Sequence, residues 1–176
     1  MAGLDGSAAL LSTAGVGLVN LIFTMIGLSL IDRLGRKSLM YIGSIGYILS
    51  LATVAWAFSG QAGGAVVVGA VFVFIAAHAV GQGAVIWVFI AEIFPNKVRT
   101  KGQSLGCGTH WIFAALITLL MPLFLSRFEP QTIFSFFTVM MILQLLFVIA
   151  VMPETRGQSL ESLAARFLAE ADRGTT

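Results

Sequence analysis

Five long apolar runs dominate the pattern of this chain, at residues 11–31, 39–58, 65–91, 108–126 and 132–152. Each holds about the 20 apolar residues that cross a hydrocarbon core as a helix. Besides small hydroxyl residues, polar side chains inside the runs are few: Asn20 in the first, beside Thr24, His78 and Gln82 in the third, His110 in the fourth and Gln144 in the fifth. Tyr41, Tyr47 and Trp56 read as interfacial anchors of the second run. After the fifth run, Leu160, Leu163, Phe167 and Leu168 alternate with Glu161, Arg166 and Glu170 in an amphipathic helical pattern. The expected fold class is all-α: a polytopic membrane helix bundle of five spans over residues 1–157, followed by an amphipathic cytoplasmic tail helix over 158–176.

Composition agrees with lipid as the solvent. Of 176 residues, 58% are hydrophobic and 10% charged, whereas a soluble domain carries about 25% charged residues. The formal charge is +2, and no basic tail or aromatic-basic interleaving points to nucleic acid. A single cysteine, Cys107, excludes an intrachain disulfide and a thiolate metal cluster. The first residues carry no basic region, so no signal peptide is expected. The links after runs one, three and five hold nine of the ten Lys and Arg residues, and the opposite links hold only Arg127. The positive-inside rule then places the amino terminus outside and the carboxyl terminus in the cytoplasm. An odd span count with that orientation predicts at least one further span before Leu11.

The stretch Gly81 to Gly102 organises the rest. Glycines and Gln82 loosen its apolar part, Trp87 follows, and it leaves the membrane through Glu92 and Pro95 into Lys97, Arg99 and Lys101. A polar group inside an apolar span is costly unless it is used, so this helix is expected to line a polar path. A tight link, Asp32-Arg33-Leu34-Gly35-Arg36-Lys37, joins the first two spans. It either sets topology alone, or Asp32, Arg33 and Arg36 pair with Glu92 and Arg99 at one membrane face as a latch stronger than isolated surface pairs.

These motifs carry a resemblance. Asp-Arg-x-Gly-Arg-Lys is similar to the cytoplasmic loop signature of the major facilitator superfamily. Ala91-Glu92-Ile93-Phe94-Pro95, followed by Arg99 and Gly102, resembles the sugar-porter signature after the tenth span. Pro153-Glu154-Thr155-Arg156-Gly157 resembles the signature that closes the twelfth. The resemblance implies a partial major-facilitator fold, spans eight to twelve of twelve, in a sugar transporter working by alternating access. It implies sugar contacts at Asn20, Trp87, His110 and Trp111, and a cytoplasmic charge network of Asp32, Arg33, Arg36, Glu92 and Arg99; Gln82, where the segment departs from the family pattern, is added as a site-facing amide, and Glu154 of the closing signature is added to the network. The implied partners are a hexose or pentose, protons as candidate coupling ion, membrane lipid and a complementary amino-terminal half. No cofactor or metal is implied. The family's proline between Gly81 and Trp87 is missing here, so flexibility falls to the glycines. The seventh span and the amino-terminal half are also missing, which predicts a chain inactive alone.

The chemistry of these residues fits a sugar. Amides donate and accept at once, as Asn20 and Gln82 would toward hydroxyl pairs. Indoles offer a flat apolar face to sugar C–H groups, as Trp87 and Trp111 would. Each has a plainer reading: a buried amide that bonds a neighbouring helix, a tryptophan that anchors or packs. Neither His78 nor His110 has the partner spacing of a metal site. Gly102, Gly106, Gly43 and Gly46 read as close-packing positions between helices. No intramembrane aspartate pair or nucleophile–base arrangement points to an enzyme. The alternative to transport is a membrane protein that assembles or regulates a partner. The residues leave proton symport and facilitated diffusion both open.

Overall fold

The structure, a computed structural model, describes residues 6–61, 63–158, 162 and 165. Its helices are α1 (Gly6–Leu34), α2 (Arg36–Trp56), α3 (Gly64–Val80), α4 (Gln82–Ile93), α5 (Arg99–Arg127) and α6 (Pro130–Ala150). Among the described residues, five helical stretches are long and apolar enough to cross a membrane, α3 and α4 together forming the third. The five predicted spans are therefore present. The predicted tail helix falls almost entirely outside the described residues.

Boundaries differ from the apolar runs where polar residues continue a helix. α5 begins at Arg99, so the basic residues Arg99 and Lys101 lie in its first turn and not in a link. Lys101 is exposed there, while Arg99 is partly buried. The larger difference is in the third span, which is two helices, not one. Gly81 has φ −91° and ψ −104°, outside the helical region, and separates α3 from α4.

This break is gripped from two sides. A Cβ at Gly81 would lie 2.7 Å from the Cα of Gly43 on α2 and 3.1 Å from the carbonyl oxygen of Leu39. A Cβ at Gly27 on α1 would lie 3.0 Å from the Cα of Val80. Backbones of α1 and α2 thus close on the break with no side chain between, which only glycine permits. The packing reading of Gly43 holds. Gly102 and Gly106 work differently, receiving the Phe94 ring and the Ile90 side chain of the preceding helical span and not another backbone.

α2 is the central helix, packed between α3 and α6, while α1 packs on α3. Half of α2's most apolar membrane-length window is buried, against none of α5's, which leans lightly on α4 and α6. The buried core of Ile31, Leu39, Met40, Val80, Val85, Val148 and Met152 gathers just inside the charged end of the bundle. In lipid such packing is held by shape and dispersion and not by expulsion of water.

Valine placed at Gly43 or Gly81 has no room, and each is expected to lower unfolding free energy in detergent by about 1–3 kcal/mol. Gly69 faces open space, so Gly69→Ala should leave it unchanged within about 0.5 kcal/mol. Equal losses at all three positions, in a denaturant titration followed by circular dichroism, would contradict the tight approach.

Candidate functional site: a charged node and an open aromatic face

The node begins with one residue. Gly35 alone separates α1 from α2, with φ 92° and ψ 162°. A Cβ there would sit 2.7 Å from the carboxyl carbon of Glu154. That carboxylate accepts hydrogen bonds from the backbone N–H groups of Arg36 at 2.9 Å and Lys37 at 3.0 Å. It also accepts from the N–H groups of Thr155 and Arg156, each at 3.0 Å. Glu154 thereby caps the first turn of α2 from the far end of the chain, satisfying donors that no intrahelical carbonyl can reach and meeting the positive end of the helix dipole.

Arg36 completes the node. Its Nη2 donates to Glu92 Oε1 at 2.7 Å and its Nε to Glu92 Oε2 at 3.1 Å, a fork-to-fork pair. Its Nη1 donates to Asp32 Oδ1 at 3.0 Å and to the Ile31 carbonyl at 3.1 Å. Thr155 Oγ1 donates to Glu92 Oε2 at 2.6 Å. The Arg36 and Glu92 side chains are 10% and 19% exposed, whereas Asp32 is 80% exposed. The Glu92 pair therefore carries the node and the Asp32 pair adds little. Lys37 ties in α6 through the Ile149 carbonyl at 3.0 Å.

Of the predicted network, Asp32, Arg36, Glu92 and Glu154 come together. Two members do not. Arg33 is exposed, with no ion pair to the node among the described residues. It lies three positions before Arg36, and the one-residue link turns the chain between them. Arg99 bonds the Phe94 carbonyl through Nε at 3.3 Å, and its Nη2 is buried without a partner among the described residues. It starts α5, beyond the turn at Pro95, where Phe94 is the nearest acceptor. Thr155 was not foreseen, because a hydroxyl beside a signature carboxylate gives no periodic signal.

The open face is aromatic. The rings of Trp87 on α4 and His110 on α5 stand edge-on with centroids 5.1 Å apart. His110 meets Trp111 in the same way at 5.4 Å. All three are exposed, Trp111 at 65%. Asn20 is exposed on α1, with no hydrogen bond to this group among the described residues. Gln82 points elsewhere. It is 9% exposed, and its Nε2 donates to Ser44 Oγ at 3.1 Å, to which Gln144 Nε2 also donates at 3.3 Å. The break at Gly81 turns Gln82 toward α2, so in this structure its amide joins helices. Tyr47 corrects a second expectation: it is no interfacial anchor but is 7% exposed, its ring tilted against Phe74, with its hydroxyl bonded to His78 Nδ1. Two cavities of about 260 and 320 Å3 exist elsewhere, and none of the predicted site residues lines them.

Removing one partner of the half-buried pair strands the other, so Arg36→Met and Glu92→Gln should each destabilise the chain by about 3–5 kcal/mol. The double variant should cost clearly less than their sum, while Arg33→Ala stays within about 0.5 kcal/mol. Additive losses in that cycle would dissolve the node.

A family model described as "Sugar (and other) transporter" matches residues 1–167. The D-xylose-proton symporter of Escherichia coli K12 is 32% identical over 169 residues, which are 93% of this chain and 34% of that protein. The arabinose-proton symporter of Bacillus subtilis is 34% identical over 168 residues, 93% of this chain and 35% of that protein. A solved structure of the major facilitator superfamily proton:xylose symporter XylE bound to 6-bromo-6-deoxy-D-glucose superposes with TM-score 0.85 at 32% identity, covering 93% of this chain and 36% of that one. The chain thus spans about a third of the length of the relatives it matches. By these matches, the chain belongs to the sugar transporter family of the major facilitator superfamily.

Proposed function

We propose that this chain forms most of one wall of an alternating-access sugar transporter, residues 1–157 building the wall and 158–176 the tail. The carrying observation is the contact of Trp87, His110 and Trp111 across α4 and α5 on an exposed face of the bundle. Flat indole faces beside an imidazole match a monosaccharide, whose ring offers C–H faces rimmed by hydroxyls. On this reading Asn20, exposed on α1, offers the sugar a further amide, and Gln82 supports the site by bonding Ser44 beside the break that precedes α4. The substrate on this reading is a hexose or pentose, with protons as the coupling ion, as the names of two relatives indicate for those proteins.

The charged node supports the same reading. It ties α1, α2, α4 and the segment after α6 at one end of the bundle, the end rich in Lys and Arg. That end faces the cytoplasm by the charge rule. A wall held rigid there can rock as a body against a second wall, with sugar held between them. This chain binds sugar on its face and requires the second wall to move it.

In detergent, hexose or pentose titration should give a saturable change in tryptophan fluorescence. Trp87→Ala should weaken it at least tenfold, because a ring-to-sugar contact is lost with its area. Proteoliposomes holding only this chain should show no saturable uptake. A titration flat for every hexose and pentose, or identical in Trp87→Ala, would sink the reading.

A further inference from the structure

The end of α5 and the first two turns of α6 enclose a cavity of about 260 Å3, at the end of the bundle opposite the charged node. Phe124 and Phe128 wall it from the α5 side, and Thr132, Ile133, Phe136 and Phe137 from α6. α5 and α6 touch only lightly, and Phe124, Phe128 and Phe136 are exposed. On its other side α6 is braced, with Phe134 stacked on Phe58 just past α2, centroids 5.7 Å apart. One wall of the cavity is thus tied to the rest of the bundle.

The lining selects the occupant. Five of the six side chains are pure hydrocarbon. An apolar cavity of about 150 Å3 already stays dry and takes up a small hydrocarbon, so this larger one favours an alkyl segment over water. A helix, about 10 Å across with its side chains, does not fit between two helices already in contact. Both walls belong to membrane-length spans, so the fluid around them is acyl chain.

The rim adds a headgroup. Arg127 ends α5, three positions after Phe124 and next to Phe128, and it is the one basic residue in the links at this end. Glu129 is the N-cap residue of α6. Both are exposed, and neither makes an ion pair among the described residues. An unpaired cation and an unpaired anion two residues apart, where two spans reach the interface, match a headgroup that carries a phosphate and an amine.

We propose that this cavity binds one acyl chain of a zwitterionic phospholipid, with its phosphate on Arg127 and its cationic amine beside Glu129. The assignment rests on the membrane reading of the chain and is independent of the sugar face.

Native mass spectrometry of the full chain in detergent tests this. Titrated with dioleoylphosphatidylcholine, the chain should retain one lipid, saturably. Dioleoylphosphatidylglycerol, which has the phosphate without the amine, should be retained less well, and Glu129→Gln should erase that preference. Arg127→Gln should weaken retention of both lipids about fivefold, the worth of one basic side chain at a lipid surface. Thr132→Trp, which fills the cavity from an exposed position, should abolish retention, while Leu119→Trp, exposed on α5 outside the lining, should leave it unchanged. Circular dichroism checks the fold of each variant; should Thr132→Trp lose helix, the two rim variants decide. Uptake that never saturates, equal retention in Thr132→Trp, or indifference to both rim variants overturns the assignment. So does a concentration-dependent dimer that Thr132→Trp disrupts, since the occupant is then a second copy of the chain.

Discussion

The backbone contact at Gly81 is the constraint on which the rest depends. Two helices close on a point where a third is interrupted, and no Cβ intervenes on either side. Dispersion between directly touching backbones is the attraction available in lipid, where apolar side chains gain nothing by leaving solvent. The interruption sends α4 off on its own axis. That turns Gln82 inward to Ser44 and leaves Trp87 on the outside facing His110. Both residues lie on α4, where a helix fixes their relative direction, so the break sets how the pair is aimed relative to α3.

The charged node and the glycine contact divide the labour. Near the middle of the bundle, shape holds the helices and polar groups are few and mostly bonded, apart from the Gln82 carbonyl oxygen, buried without a partner among the described residues. At the charged end, hydrogen bonds with strict geometry take over, and Glu92 and Glu154 each serve several donors. The first kind of contact tolerates sliding and tilting. The second holds only in one register. A bundle built this way is fixed at one end and able to adjust at the other, which is the mechanical property a rocking wall requires.

Much of this was legible in the sequence. The five spans follow from run length, and the Arg36–Glu92 pair from charges that the spans bring to one membrane face. The node's remaining detail was not, since Glu154 reaches α2 across 118 positions and no periodicity reports such a contact. Gly35 held the trace of it: a glycine is required where a carboxylate occupies the space of a side chain. The break at Gly81 was only half visible, because one glycine in an apolar run reads equally as a hinge or as a continuing helix. Tyr47 misled for a different reason. Aromatic residues in membrane helices concentrate at interfaces, and only the partner on α3 shows that this one is held in the interior. Arg33 and Arg99 show that charges sharing a face need not share a partner.

The cap on α2 has a consequence for biogenesis. The residue that satisfies the first turn of the second span lies after the last one, so it emerges from the ribosome 118 residues after the turn it completes. At about 5–20 residues per second, that turn waits roughly 6–24 s with its amides met only by water or headgroups. The bundle can thread its spans one by one, but its charged end stays unfinished until the final turn is translated. Arrival of Glu154 and Thr155 then closes it in a single late event, a clasp fastened after the strap is already in place.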